Sequence, residues 1–195
     1  MASAKKALKL FDQIEYNRGA LTLKYLIAIN LFNTGSEKES LIVLDEAYNI
    51  ALKTSDTLFQ IKTLSQKGYY DYTKSNYDDA LENTIAALNI LDSANCCLDE
   101  KILILNSLGI IYIDLKDQEK ALEYLRQAES LINETNIRFQ EPNVSINIGS
   151  IYLERKDYET AEIYLLKAHK SSLKGLGFRP EIYAIGLGKL YILKK

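Results

Sequence analysis

A chain of 195 residues with 47% hydrophobic content is one domain of ordinary size or a short array, and it can bury a core. Its 24 Lys plus Arg against 26 Asp plus Glu leave a net charge of −2, which excludes the basic footprint that neutralises phosphates, so nucleic acid is not an expected partner. The uncharged stretch from Ile102 to Ile113 is too short for a membrane span of about 20 residues, and Asp12 interrupts the apolar region behind Lys5, Lys6 and Lys9 before it reaches signal-peptide length. Membrane insertion by this chain is not expected, and a cytoplasmic setting is.

At the N-terminus, Ala7, Leu8, Phe11 and Ile14 fall at helical spacing, so residues 1–17 read as the second helix of a preceding hairpin. One sparse pattern then recurs. Ala28, Gly68, Gly109, Gly149 and Gly188 are separated by 40, 41, 40 and 39 residues, and each of the last three is followed by a tyrosine three positions on. A period of this length marks a solenoid, whose units bury their apolar faces against their neighbours. It divides the chain into repeats at 21–59, 60–100, 101–140 and 141–179, with 180–195 as the first helix of a fifth.

The third repeat shows the unit most clearly. Ile102, Leu105, Leu108, Ile111, Tyr112 and Leu115 form one helical stripe, and Ala121, Leu122, Leu125, Ala128 and Leu131 or Ile132 form the next. Between them Asp117 suits an N-cap, and Ser36, Asn76 and Asp157 fill that slot elsewhere, with Ser36 and Glu39 at capping-box spacing. Pro142 and Pro180 each fall just before a first helix, where a missing N–H costs little. Small residues mark the helix crossing: Ser40, Ala80, Ala121 and Ala161 stand twelve beyond the glycine slot, and Ala47, Ala87, Ala128 and Ala168 seven further on. The expected fold class is all-α, built from antiparallel helical hairpins.

Glycine, tyrosine three on, and alanine twelve and nineteen on, in paired helices, resembles the tetratricopeptide repeat. The resemblance covers roughly Leu21 to Lys195 and is strongest from Gly109 to Ala128 and from Gly149 to Ala168. Asp71 departs from it by taking the tyrosine slot, with Tyr70 and Tyr72 beside it, as do Ala28 and Ser40 in the first repeat. The period exceeds the family's usual length of about 34 residues, and in period alone the chain resembles peptide-pheromone receptors, kinesin light chains and the sensory parts of bacterial regulators. The family resemblance implies a right-handed α-solenoid whose concave face is lined by first helices.

Half a hairpin at each end reads as a slice of a longer protein, or alternatively as natural caps. Ile182, Tyr183, Ile185, Leu187, Leu190, Tyr191, Ile192 and Leu193 leave the last helix little polar surface, so self-association through it is an expected contact.

Chemistry for catalysis is lacking. His169 is the only histidine, and Cys96 and Cys97 are adjacent, without the second pair that a zinc site needs, and read as reduced thiols at a helix end. Asp78 and Asp79, like Asp99 and Glu100, suit helix starts, and Gly175, Gly177, Gly186 and Gly188 follow no strand. No enzyme activity, metal or cofactor is expected.

What remains is a surface. By the resemblance, residues three before, two before, one after and five after the glycine slot project inward. They are Tyr25, Leu26, Ile29 and Asn33, then Ser65, Gln66, Tyr69 and Thr73. The third repeat supplies Asn106, Ser107, Ile110 and Asp114, and the fourth Ile146, Asn147, Ser150 and Glu154. The set lacks the basic residues with which chaperone-binding members grip a carboxylate. Asn106 and Asn147 instead suit hydrogen bonds to an extended peptide backbone, with Tyr25 and Tyr69 packing its side chains; the other reading is that these are tolerated solvent-facing residues. The expected function is a non-catalytic interaction module for a peptide or protein segment. The alternative is a sensory or dimerisation segment of a larger signalling protein, of histidine kinase, transcriptional regulator or peptide-pheromone receptor type.

Overall fold

A computed structural model describes residues 17–176 and 180–194. The expected helix at 1–17, with Ala7, Leu8, Phe11 and Ile14, lies outside the described residues but for Asn17, as does Gly177. The described residues form α1 (Asn17–Asn33), α2 (Glu37–Lys53), α3 (Thr57–Thr73), α4 (Tyr77–Ala94), α5 (Leu98–Asp114), α6 (Gln118–Thr135), α7 (Glu141–Glu154), α8 (Tyr158–Ser172) and α9 (Pro180–Leu193). α1 already includes Asn17 to Ala20, ahead of the Leu21 at which the pattern sets the first repeat.

The chain comprises two compact units, Met1–Cys96 and Cys97–Lys195. In the first, α1 pairs with α2 and α3 with α4, and α3 packs on α2. In the second, α5 pairs with α6 and α7 with α8, while α9 packs on α8 and α7.

One turn recurs at helix ends within both units. Gly35, Ser55, Ser75, Lys116 and Lys156 adopt positive φ, between 54° and 83°, just past a helix end. The next residue sends its N–H back five positions: Ser36 to the Leu31 carbonyl at 2.8 Å, Asp56 to Ala51 at 2.9 Å, Asn76 to Asp71 at 3.0 Å, Asp117 to Tyr112 at 2.9 Å and Asp157 to Tyr152 at 3.0 Å. This is the Schellman closure, and here its last residue is also the N-cap of the following helix.

That double duty corrects the capping-box expectation. A capping box needs the Ser36 N–H for Glu39, but Leu31 already holds it, and neither Ser36 nor Asn76 makes a side-chain cap bond. Asp117 and Asp157 do, accepting from the Lys120 and Thr160 N–H groups, and so does Asp56, from Phe59, which the pattern had not marked. The three capping side chains are carboxylates, which gain from the helix dipole as well as from the bond.

Left-handed backbone is costly for a side chain with Cβ, at about 1–2 kcal/mol. Lys116→Gly and Lys156→Gly should therefore each raise stability, by up to about 1 kcal/mol after glycine's own entropy is offset. Urea unfolding measures this; a lower midpoint in both variants would contradict it.

The hairpins close on the small residues. Ser40, Ala80, Ala121 and Ala161 are fully buried, as are Ala47, Ala87, Ala128 and Ala168. A Cβ added at Gly109 would stand 2.5 Å from Leu125 Cγ, and one at Gly149 3.0 Å from Leu165 Cγ; at Gly68 it would run into the Thr84 hydroxyl. In each case the residue sixteen on, from the second helix, lies over the glycine. In the stripe of α6, Ile132 rather than Leu131 is the buried member. The prolines lie inside the first turn rather than before it, Pro142 second in α7 and Pro180 first in α9, where N–H groups have no intrahelical acceptor.

A second pair changes its chemistry from repeat to repeat. The residues three and fifteen beyond the glycine slot are Tyr112 and Tyr124, with rings stacked at 5.6 Å, and Tyr152 and Tyr164, stacked at 6.1 Å. In the second repeat they are Asp71 and Asn83, and the Asn83 amide donates to the carboxylate at 2.9 Å. In the first they are Leu31 and Val43, both half-buried. Tyr70, not Asp71, enters the core there: its ring stacks on Phe32 at 3.6 Å and its hydroxyl donates to the Ala28 carbonyl at 3.2 Å.

Candidate functional site

In the first unit the matched offsets fall on α1 and α3. The Tyr25 hydroxyl donates to Gln66 Oε1 at 3.2 Å, and its ring meets Phe59 edge-on at 6.4 Å. Tyr69 is 53% exposed and tilts against Phe32 at 6.4 Å, while Leu26 is 56% exposed. Ile29 is half-buried, and Asn33 and Thr73 are exposed at the helix ends, Thr73 donating to its own turn at Tyr70. The Ser65 hydroxyl is enclosed without a hydrogen-bond partner. Ser40 also donates to the Ala28 carbonyl, at 2.7 Å, and burial beside it pushes the Tyr70 phenol up.

Three lysines on or next to these helices turn towards α2. Lys24 meets Glu46 at 2.6 Å, Lys67 meets Asp45 at 2.9 Å, and Lys74, just past α3, meets Glu37 at 2.7 Å.

In the second unit the offsets fall on α5 and α7. The Asn147 amide donates to Asn106 Oδ1 at 2.9 Å, which ties the two helices together. Asn106 is only 7% exposed, so it holds Asn147 in place, and Asn147 is the more accessible of the pair. Ile110 and Ser150 are half-buried, and Ser107 is exposed. Asp114 and Glu154 are exposed as the last residues of α5 and α7, and Glu154 accepts from the Gln118 amide at 2.9 Å.

Ile146 faces α9, with its Cδ1 3.8 Å from a Cβ built at Gly186. The sequence reading stopped at the fourth repeat, but the same offsets from Gly188 give Ile185, Lys189 and Leu193. Ile185 is 58% and Leu193 55% exposed, so α9 adds apolar surface to this row. The signal was the period itself, carried one repeat further.

The second helices expose apolar groups too, Ile42, Leu52 and Ile163, beside a set of charged pairs. Arg155 bonds Gln118 and Glu119, each at 2.8 Å, and Glu129 accepts from Lys167 at 2.6 Å and Tyr164 at 3.1 Å. Burial, then the Glu129 charge, pushes the Tyr164 phenol up to about 12. Cys96 and Cys97 are half-buried at the start of α5, and His169 is half-buried. Among the described residues no group of three His, Cys, Asp or Glu could hold a metal, and no helix is long and apolar enough to cross a membrane.

The tetratricopeptide repeat family model matches residues 103–135 and 143–172. No curated protein matches the chain in sequence. Among solved structures, BtubC (BKLC) from P. vanneervenii is similar over 97% of this chain and 81% of that one, at 19% identity and a TM-score of 0.85. A signal transduction ATPase with numerous domains and a tetratricopeptide repeat sensor, from Pyrococcus horikoshii, matches over 95% of this chain and 28% of that one, at 22% identity and 0.73. Aspartyl phosphate phosphatase F from Bacillus subtilis matches over 87% and 53%, at 18% identity and 0.68. At these identities the likeness is one of fold, and the chain spans about half or less of the last two. Its glycine and alanine crossings, its stacked tyrosines and the matched segments agree: the chain carries tetratricopeptide repeats, at 103–135 and 143–172, within an all-α fold of helical hairpins.

Proposed function

We propose that the chain is a non-catalytic interaction module that binds a peptide or protein segment on the first-helix faces of its units. The observation that carries this reading is the pairing of exposed apolar groups with held amides on the first helices. The first-helix faces pair exposed apolar groups, Leu26 and Tyr69 or Ile185 and Leu193, with amides already held in place, Gln66 by Tyr25 and Asn147 by Asn106. Pre-ordered amides lose little entropy when a peptide backbone binds them. With Lys24 and Lys67 drawn to α2, the face of the first unit is poorly suited to grip a carboxylate.

The test is selection of binders from a displayed random-peptide library on the full chain, followed by two variants at exposed positions. Leu26→Gln and Ser107→Tyr should weaken the selected peptides about tenfold or more between them while the melting temperature stays unchanged, as expected for surface changes. Binding that ignores both variants sinks the proposal, and so does a library that yields no binder.

A sensory role is the second reading, supported by the likeness to a protein whose repeats are described as a sensor. A bound peptide that alters self-association or hydrogen exchange far from the first-helix faces would favour it over a passive module.

A further inference from the structure

The glycine slot is covered in every first helix except α9. Ala28, Gly68, Gly109 and Gly149 are buried, whereas Gly188 is exposed and no atom of the described residues lies within 4 Å of a Cβ built on it. The rest of the stripe behaves alike. Seven before the slot, Leu21, Ile61, Ile102 and Pro142 are buried and Glu181 is exposed; four beyond it, Phe32, Tyr72, Ile113 and Leu153 are half-buried and Ile192 is 74% exposed. The opposite face of α9 is in place, since Tyr183 and Leu190 are buried, Leu190 in one cluster with Ala161 and Leu165 of α8. Among the described residues, α9 therefore has the neighbour that a first helix takes from the repeat before it and lacks the second helix of its own hairpin.

The other hairpins lay one pattern on that stripe. It is a cap residue such as Asp117, a small residue four further on such as Ala121, and four beyond that a side chain over the slot, as Leu125 lies over Gly109 and Leu165 over Gly149. The sequence holds the pattern once more, ahead of α1: Ser3, Ala7 and Phe11 keep the spacing of Asp117, Ala121 and Leu125. Residues 4–16 then follow before α1 begins, a stretch close in length to the 15 residues of α8. One end of the chain thus carries an uncovered first-helix stripe and the other a second-helix pattern.

We infer that α9 of one copy takes the segment from Ser3 to Tyr16 of a second copy as its second helix, so that copies join head to tail. In the register of the other hairpins Phe11 covers Gly188, and Lys6 stands over Tyr191 as Lys120 stands over the Tyr112 ring, 5.1 Å from its centroid. Ile14 is larger than the alanine at its slot in the other repeats, while Ala184, four before the glycine, is smaller than Leu64 and Leu105 at theirs. Volume is exchanged between the helices rather than added, the kind of swap that packing tolerates. Burial of Phe11, Ile14 and Ile192 drives the contact. It joins two different surfaces, so it does not close at two copies and extends as concentration rises. The stripe used is not that of Ile185 and Leu193, and the inference is independent of peptide binding.

Sedimentation of the full chain from micromolar to millimolar concentration tests this, with Phe11→Asp and Ile192→Asp as variants. The expected result is an average mass that rises with concentration past that of a dimer, and loss of that rise in either variant. Mixing the two variants is the decisive arm. Each keeps the half that the other has lost, so the mixture should form dimers and stop there. Both variants should keep the helical signal of the dilute parent; where one does not, Lys6→Glu with Ala7→Glu replaces Phe11→Asp, and Gly188→Glu replaces Ile192→Asp. A parent that stays monomeric throughout overturns the inference, and so do folded variants that remain monomers when mixed. Assembly that survives either variant also overturns it, and survival in Phe11→Asp alone would assign the contact to α9 pairing with a second α9.

Discussion

Gly109→Ala is expected to lower stability by about 1–3 kcal/mol, the usual cost of overpacking a closed site, whereas Gly188→Ala should raise it by roughly 1 kcal/mol, the helix-propensity gain of alanine. The two glycines share one slot in the repeat and differ in what covers them. The new methyl at Gly109 would stand 2.5 Å and 2.6 Å from Leu125 Cγ and Cδ2, so the leucine must leave its place between the helices. At Gly188 no atom of the described residues lies within 4 Å of the added carbon, and the position is exposed. The first repeat carries Ala28 packed with Leu44 in the same slot, so a methyl can be built in when the whole hairpin is formed around it. Urea unfolding of both variants decides the matter. Equal effects of the same sign would show that the slot is not a helix crossing.

The second large effect is a coupling. Asn83→Tyr alone should cost about 1–3 kcal/mol, because it leaves the half-buried Asp71 carboxylate without the amide it accepts from. Burial already pushes that carboxyl up, and the Asn83 bond pulls it back down. Asp71→Tyr alone should also destabilise, since the Asn83 amide then faces a ring. Together the two changes recreate the pair that stacks as Tyr112 on Tyr124 and as Tyr152 on Tyr164, a contact worth about 0.5–1.5 kcal/mol beyond its buried area. The double variant should therefore be more stable than the sum of the singles by at least about 1 kcal/mol. Strict additivity would mean that the three pairs are unrelated.

These pairs explain which parts of the fold were legible in the sequence. The hairpins could be read because their spacing is set by residues that have no alternative: a glycine under Leu125, an alanine such as Ala128 at zero exposure. Cap positions could be read for the same reason, but of the four marked only the carboxylates Asp117 and Asp157 make the bond. The N–H that Glu39 would have needed is taken by a carbonyl in the preceding helix, a contact that depends on the link's left-handed residue.

The candidate faces were legible in register and not in depth. A matched offset fixes direction around a helix to within the roughly 100° that separates adjacent residues, so it cannot separate Asn106, nearly enclosed, from Ser107, exposed. Tyr70 shows the same limit, since one step of rotation sends it rather than Asp71 into the core. Asp114 and Glu154 were legible as one row of offsets, but not as the last residues of their helices.

The most direct test of the account is a map of backbone amide shifts in the full chain as a library-selected peptide is added. The account predicts that the shifts gather on first helices, around Leu26 and Tyr69 on α1 and α3 or around Ser107, Asn147 and Ile185 on α5, α7 and α9. Shifts gathered instead on α6 and α8, around Arg126 and Lys167, would contradict it and move the binding surface to the second helices.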